Sequence, residues 1–233
     1  MNMSIDLLAL GFGKSFLFAF AAILPILNPA ATAPVFLTLT EGADQQTRAL
    51  LARNIARNVF ALLVGAMLIG SYLLDFFGIS LPIVRIGGGL IVAAAAWRLL
   101  NVSPSSIDSH AELADAFTPE QAMRKAFYPL TFPLSCGPGS IAAAITVGVS
   151  LHDADLRLSL ARMGGALLAV VGVSILHFWA FRYAQQLLKP LGETGSIVFL
   201  RLSAFILLCL GVQIVWSGAE ALIVDLWKTL PQR

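Results

Sequence analysis

The chain has 233 residues, of which 58% are hydrophobic and 12% are charged, and its mean hydropathy is +0.84. Soluble globular domains contain roughly 25% charged residues, so this composition excludes a water-soluble fold and indicates a membrane protein. The formal net charge is only +2, and the lysines and arginines are scattered, which argues against nucleic acid as a partner. Cys136 and Cys209 lie far apart in apolar surroundings, so they indicate packing and not a metal site.

Apolar segments divide the chain into predicted membrane spans. A helix needs about 20 apolar residues to cross a hydrocarbon core about 30 Å thick. Six such segments are present, at residues 12–40, 59–77, 79–100, 122–149, 158–188 and 197–226. We interpret the first as a span and not as a signal peptide, because residues 1–13 contain no lysine or arginine. The predicted fold is therefore an all-α polytopic membrane protein with six transmembrane helices.

The loops predict an orientation and a division of the chain. Six spans place both termini on one side of the membrane. The loops after spans one, three and five contain more lysine and arginine than the terminal side, so the positive-inside rule predicts that both termini lie outside the cytoplasm. A polar loop at residues 101–121 separates a first three-helix unit, residues 1–100, from a second, residues 122–233.

Corresponding features recur in the two units. Residues 24–29, LPILNP, lie in span one, and residues 132–140, FPLSCGPGS, lie in span four. Span three contains Arg85 and span six contains Arg201, each followed by an apolar and then a small residue. This order predicts a duplicated unit. Because each unit has three spans, the second copy crosses the membrane in the opposite sense, as in inverted-repeat transporters.

The paired prolines predict discontinuous helices in spans one and four. The pairs Asn28-Pro29 and Gly137-Pro138 are suited to begin a helix, because Asn and Gly are good N-cap residues and Pro is favoured at the first helical position. Each restarted half-helix would direct free N–H groups and a positive dipole end toward the centre of the bundle, where they suit a carboxylate. The half-helices that end before Pro25 and Pro133 would expose carbonyls that suit an ammonium group. A small zwitterion satisfies both ends.

The residues at these breaks are the predicted substrate-binding residues. They are Asn28, Pro29, Thr32, Ser135, Cys136, Gly137, Pro138, Gly139 and Ser140. Their size predicts a cavity with polar hydroxyls and no large apolar anchor, and therefore a small ligand. The alternative interpretation is that small residues only allow helices to approach closely.

Other intramembrane polar residues suggest gating and coupling roles. Arginine is destabilising inside a bilayer and therefore indicates function. Arg85 and Arg201 are predicted to brace the breaks at Pro25 and Pro133 by pairing with exposed carbonyls; gating and substrate contact are the alternatives. The coupling ion is left open between H⁺ and Na⁺: His177 is the candidate proton relay, unless it is a packed, hydrogen-bonded residue, and Thr131, Thr32 or the break carbonyls are candidates for sodium.

At these residues the chain resembles the MarC family of bacterial inner-membrane proteins, which is also grouped as small neutral amino-acid transporters within the lysine-exporter superfamily. The resemblance includes residues 24–29, 76–90, 133–140 and 201–213. It implies six spans in two inverted three-span repeats, a location in the bacterial inner membrane, and transport of glycine, alanine and similar amino acids in some members. In that membrane, the orientation that the positive-inside rule predicts makes both termini periplasmic. By resemblance, Asn28-Pro29 and Gly137-Pro138-Gly139 occupy the family's break motifs.

The predicted function is a secondary transporter that exports or exchanges small neutral amino acids by alternating access. The expected partners are a small zwitterionic amino acid and the lipid bilayer, without cofactor or metal, and association of several copies of the chain is left open. One alternative is a carrier or scramblase of an anionic lipid phosphate that uses Arg85 and Arg201; another is a non-catalytic membrane assembly factor. An enzyme is disfavoured, because the predicted spans contain no carboxylate pair, metal cluster or Ser-His-Asp set.

Overall fold

The computed structural model describes residues 2–40, 42–101, 125–151, 153 and 155–229. Regular structure in these residues is entirely helical, which confirms the predicted all-α class for this part of the chain. The α-helices are α1 (Asn2–Leu27), α2 (Pro29–Leu39), α3 (Gln45–Phe76), α4 (Leu81–Leu100), α5 (Pro138–Ser150), α6 (Leu156–Arg182), α7 (Ala184–Leu188) and α8 (Gly192–Thr229). A π-helical stretch, Ala126–Ser135, precedes α5 and is called the π segment below; a 3₁₀ turn, Lys189–Leu191, follows α7. The predicted loop at residues 101–121 lies outside the described residues, apart from Asn101.

Several of these helices are suited to cross a membrane. Four segments are long and apolar enough, namely Asp6–Leu37, Gln45–Phe76, Leu156–Arg182 and Ala204–Trp227. The π segment and α5 are bent by 70° relative to each other and together form a fifth candidate span. α4, Leu81–Leu100, contains a further apolar segment at Leu81–Ala94. The chain is thus a polytopic helical membrane protein, and the sixth crossing stays a prediction.

Large apolar side chains cover the outer faces of the long helices. Leu17 in α1, Ile69 in α3, Leu160 in α6 and Ile223 in α8 are each more than half exposed. An apolar surface of this extent is a liability in water. Lipid chains are as apolar as leucine, so the same surface is compatible with a bilayer.

The contacts between helices correspond in the two halves of the chain. The contact of α1 with α6 corresponds to the contact of the π segment with α3. The contact of α2 with α6 corresponds to the contact of α5 with α3. Likewise, α2 packs on α8 as α5 packs on α4, while α3 contacts α6 and α4 contacts α8. Exchanging the helices of one half for those of the other, in chain order, therefore reproduces this set of contacts.

Glycines allow the backbones of α4 and α8 to touch. A Cβ atom on Gly89 would lie 2.7 Å from the carbonyl oxygen of Gly211, and a Cβ atom on Gly211 would lie 2.6 Å from the backbone nitrogen of Ala93. In a membrane, helices associate mainly through close packing of small residues, because burial of apolar surface brings no gain relative to lipid. The α4–α8 contact therefore depends on these two positions.

The substitution Gly89→Ala is expected to lower the free energy of unfolding by about 1–3 kcal/mol, because the added methyl group meets the α8 backbone and forces the helices apart. Gly87→Ala is the matched control in the same helix, since a Cβ atom there has nothing within 4 Å. The control should leave the stability unchanged or raise it by up to about 1 kcal/mol. Thermal unfolding of both purified variants in detergent makes the comparison, and equal melting temperatures would contradict the close α4–α8 contact.

Candidate functional site

The second proline-containing sequence forms a sharp bend. Phe132 has non-helical dihedral angles, φ −112° and ψ 124°, as expected for a residue that precedes proline. After Cys136, α5 begins with Gly137 as its N-cap and Pro138 in its first turn. The predicted helix start at Gly137-Pro138 is therefore confirmed. Because glycine has no capping side chain, the first N–H groups of α5 receive no acceptor from the cap.

Hydrogen bonds within the bend satisfy part of the interrupted backbone. The N–H of Cys136 donates to the carbonyl oxygen of Thr131 at 2.7 Å. The hydroxyls of Thr131 and Ser135 each donate to the carbonyl oxygen five residues earlier, at 2.6 and 2.7 Å. Internal partners of this kind are needed because the bilayer core offers no water to polar backbone groups. The π segment is therefore stabilised by its own side chains.

The first proline-containing sequence forms a milder break. α1 continues through Pro25 and ends at Leu27, so the prediction that the half-helix ends before Pro25 is wrong; membrane helices tolerate an internal proline because neighbouring groups satisfy the freed carbonyl. Asn28 has φ +40°, in the left-handed region that asparagine tolerates well. Its side-chain oxygen accepts a hydrogen bond from the N–H of Ala31 at 3.2 Å, and Pro29 begins α2. The predicted helix start at Asn28-Pro29 is confirmed.

Residues of both breaks line one cavity of about 410 Å³. Five of the predicted substrate-binding residues line it: Thr32, Ser135, Gly137, Pro138 and Ser140. The remaining lining residues are Ile26, Leu39, Ile91, Val92, Pro129, Pro133, Leu134 and Leu207. The cavity therefore combines three hydroxyl groups and the start of α5 with a mainly aliphatic wall.

The other predicted substrate-binding residues do not line this cavity. Asn28 caps α2, and Pro29 lines a separate groove beside α6. Cys136 is fully buried, and its sulfur accepts a hydrogen bond from the hydroxyl of Ser140 at 3.5 Å. Gly139 packs directly against a valine side chain of α4, which leaves no space for a Cβ atom. These residues shape the breaks and lie outside the cavity lining.

The cavity is more apolar than the sequence suggested. Ile26, Leu39, Ile91 and Leu207 reach it from α1, α2, α4 and α8, so the expectation of no large apolar anchor is wrong. Ile91 and Leu207 come from helices outside the break motifs, whereas Ile26 lies within the first motif and Leu39 ends the helix that follows it. None of the described lining residues has an ionisable side chain. A net charge inside would have no partner, so the cavity favours a ligand of zero net charge.

The two arginines lie in different environments, and neither lines the cavity. Arg85 is half-buried, and its Nε donates to the hydroxyl of Thr146 at 3.3 Å. This contact links α4 to α5, as bracing requires, but its acceptor is a hydroxyl and not an exposed carbonyl. Arg201 is exposed and lies in α8, nine positions after the helix start at Gly192.

Comparison with known proteins identifies the family. Residues 13–223 match the family described as MarC family integral membrane protein. The chain belongs to the MarC family. The inner membrane protein MarC of Escherichia coli O157:H7 is 31% identical over 212 residues, which cover 89% of this chain and 93% of the relative. The proteins of that name in Escherichia coli K12 and Shigella flexneri are each 30% identical over 209 residues, with the same coverage. No solved structure matches the chain significantly.

Two polar residues of this MarC-family protein, Asn58 and Thr146, were not predicted from the sequence. The Nδ2 of Asn58 donates to the hydroxyl of Thr131 at 3.2 Å, which ties α3 to the π segment. Thr131 is fully buried and lies outside the cavity lining. The sequence does offer an indication that Asn58 is important, because this amide directly precedes the apolar stretch of its helix. The role of Thr146 has no sequence signal, since it depends on how α4 packs on α5.

Arg85 and Thr146 are expected to be energetically coupled. Arg85→Met and Thr146→Val each remove one partner, and the double variant should lose about 1 kcal/mol less stability than the sum of the single losses. Unfolding in detergent measures this double-mutant cycle. Arg201→Met is the control, because Arg201 has no hydrogen bond or ion pair with a described residue; it should change the stability by less than about 0.5 kcal/mol. Strict additivity would contradict the contact.

His177 is a fully buried residue of α6, and neither ring nitrogen has a hydrogen-bond partner among the described residues. Its ring centroid lies 4.4 Å from that of Phe181, which in turn stacks on Phe36 of α2 at 4.4 Å. The alternative of a hydrogen-bonded packing residue is therefore wrong. A buried polar group without a partner is destabilising, so its presence favours a functional role.

The substitution His177→Leu is expected to preserve or raise the melting temperature, because an apolar side chain replaces a polar group that has no partner. Phe181→Leu is the comparison within the same aromatic cluster. It should lower the free energy of unfolding by about 1–2 kcal/mol, because the stacking contact with Phe36 is lost. Thermal unfolding in one detergent distinguishes the two variants. A large loss of stability in His177→Leu would show that the imidazole contributes to packing as a native core residue does.

Proposed function

We propose that this MarC-family protein is a secondary transporter of the bacterial inner membrane that exports or exchanges small neutral amino acids. The cavity at the two helix breaks supports this proposal, because hydroxyl groups, the start of α5 and aliphatic side chains meet there. The name of the relatives, inner membrane protein MarC, supports the location.

The cavity offers a counterpart to each part of a small amino acid. The first-turn N–H groups of α5 have no intrahelical acceptor and lie at the positive dipole end, which suits a carboxylate. The last carbonyls of the π segment suit an ammonium group. The aliphatic wall suits a short apolar side chain, and the absence of ionisable groups among the described lining residues disfavours charged amino acids.

Alternating access requires two inverted three-helix repeats, residues 1–100 and 122–233. The correspondence of helix contacts between the two halves supports this arrangement. The breaks are unequal, since the second is bent by 70° whereas the first remains within one continuous candidate span. Unequal bends are expected of one end state, and the opposite state would exchange the conformations of the two halves.

Two polar residues outside the cavity are proposed to couple transport to an ion. His177 is the proposed residue for proton coupling and Thr131, through its hydroxyl and the neighbouring break carbonyls, for sodium coupling. A lipid-phosphate carrier has less support, because Arg85 is bound to Thr146 and neither Arg85 nor Arg201 lines the cavity. A non-catalytic assembly role is favoured by no particular contact of the described residues.

Counterflow of labelled glycine and alanine in proteoliposomes tests the substrate class. The purified protein is expected to exchange both amino acids saturably. Lysine, glutamate and a lipid phosphate are the negative controls, because their net charge has no counterpart in the cavity lining. Folded protein that exchanges neither glycine nor alanine would contradict the proposal, and exchange of the lipid phosphate alone would favour the carrier.

A cavity-filling variant tests where the substrate binds. Ile91→Trp should reduce alanine exchange by about tenfold or more, because the indole occupies the space between the breaks. Ile83→Trp is the matched control, since both isoleucines lie in α4 and are 49% exposed, and Ile83 is outside the cavity lining. Equal exchange rates for the two variants would show that the substrate binds elsewhere.

A further inference from the structure

A groove runs along the surface between α3 and α6. Its polar end has a volume of about 690 Å³ and is lined by residues that include Arg53 and Arg182. Its apolar end has a volume of about 520 Å³ and is lined by residues that include Phe60 and Ile175. Arg53 and Phe178 line both ends, so the two parts form one continuous α3–α6 groove.

The groove lies at the depth of lipid headgroups. α3 has 32 residues and is therefore about 48 Å long at 1.5 Å per residue, which exceeds a hydrocarbon core of about 30 Å. The apolar stretch of α3 begins at Val59. Arg57 lies beside this boundary and Arg53 about 9 Å beyond it. Both side chains therefore leave the hydrocarbon where phosphate groups are located.

Arg53 and Arg57 are available to a ligand. Both are exposed, and neither has a hydrogen bond or ion pair with a residue that the structure describes. They are four positions apart on one helix, so their side chains are neighbours on the same face. A planar guanidinium binds phosphate oxygens through two parallel hydrogen bonds, and it is only weakly hydrated.

The remaining charges of the groove leave it positive. Arg182 donates one hydrogen bond to the carbonyl oxygen of Gln45, at 3.4 Å. Asp44 accepts a hydrogen bond from the N–H of Thr47 at 2.8 Å, and the hydrogen bonds from Thr47 lower the pKa of the Asp44 carboxyl. Three arginines and one aspartate give the groove a formal charge of +2.

We propose that the α3–α6 groove binds an anionic phospholipid of the surrounding membrane. The phosphate lies on the guanidinium groups of Arg53 and Arg57, and an acyl chain lies along Phe60, Val171 and Ile175, which are 37%, 37% and 51% exposed. Because α3 and α6 come from different halves of the chain, the bound lipid connects the two halves. The site is separate from the cavity of the proposed transport function and does not depend on it.

Native mass spectrometry of the full chain in detergent tests lipid binding with three probes: phosphatidylglycerol, phosphatidylcholine and glycerol 3-phosphate. Wild-type protein should bind phosphatidylglycerol about tenfold more tightly than phosphatidylcholine, since each arginine near the surface favours an anionic lipid. It should not retain glycerol 3-phosphate, which lacks acyl chains. The double substitution Arg53→Gln with Arg57→Gln should weaken phosphatidylglycerol binding about tenfold and leave phosphatidylcholine binding unchanged.

Two further variants separate charge from shape. Val171→Trp fills the apolar end and should weaken binding of both lipids. Arg157→Gln is the charge control, because Arg157 is an exposed residue in the first turn of α6 and lies outside the groove; it should bind phosphatidylglycerol as the wild type does. Equal phosphatidylglycerol binding by wild type and the double arginine variant would overturn the proposal. Retention of glycerol 3-phosphate would overturn it in favour of a free-anion site, and a lipid-free dimer would overturn it in favour of a second copy of the chain.

Discussion

A helix that stops inside a bilayer leaves backbone N–H and C=O groups that no water can satisfy. This constraint governs the chain at its two breaks, and each break meets it differently. In the first, the side chain of Asn28 caps the restarted helix. In the second, the hydroxyls of Thr131 and Ser135 bond back to the π segment, and Asn58 of α3 reinforces Thr131. Residues at the start of α5 line the cavity, so the proposed binding site and a helix break coincide.

A second constraint is the close packing of two helix backbones next to the breaks. α4 and α8 meet backbone to backbone through Gly89 and Gly211. This pair also lines the cavity and contacts both restarted helices, since α4 packs on α5 and α8 packs on α2. The hydrogen bond between Arg85 and Thr146 lies within the α4–α5 contact. Both restarted helices therefore touch the helix pair that contributes Ile91, Val92 and Leu207 to the cavity wall.

The sequence patterns succeeded where the governing chemistry is local. An N-cap residue followed by proline predicts a helix start from two adjacent residues, and both predicted starts are present at Asn28-Pro29 and Gly137-Pro138. The patterns failed where neighbours override a local rule, as at Pro25, which α1 accommodates without ending.

The sequence by itself determined the membrane class, the helical architecture, the positions of the breaks and the family resemblance, since hydropathy and capping act along contiguous residues. Only the tertiary structure decided which break residues share a cavity, that aliphatic side chains form most of its wall, and that Arg85 bonds to Thr146. It also decided that His177 is buried without a hydrogen-bond partner among the described residues. These properties arise from contacts between residues far apart in the chain, and in a membrane such contacts depend on the fit of surfaces that hydropathy cannot distinguish from lipid-facing ones.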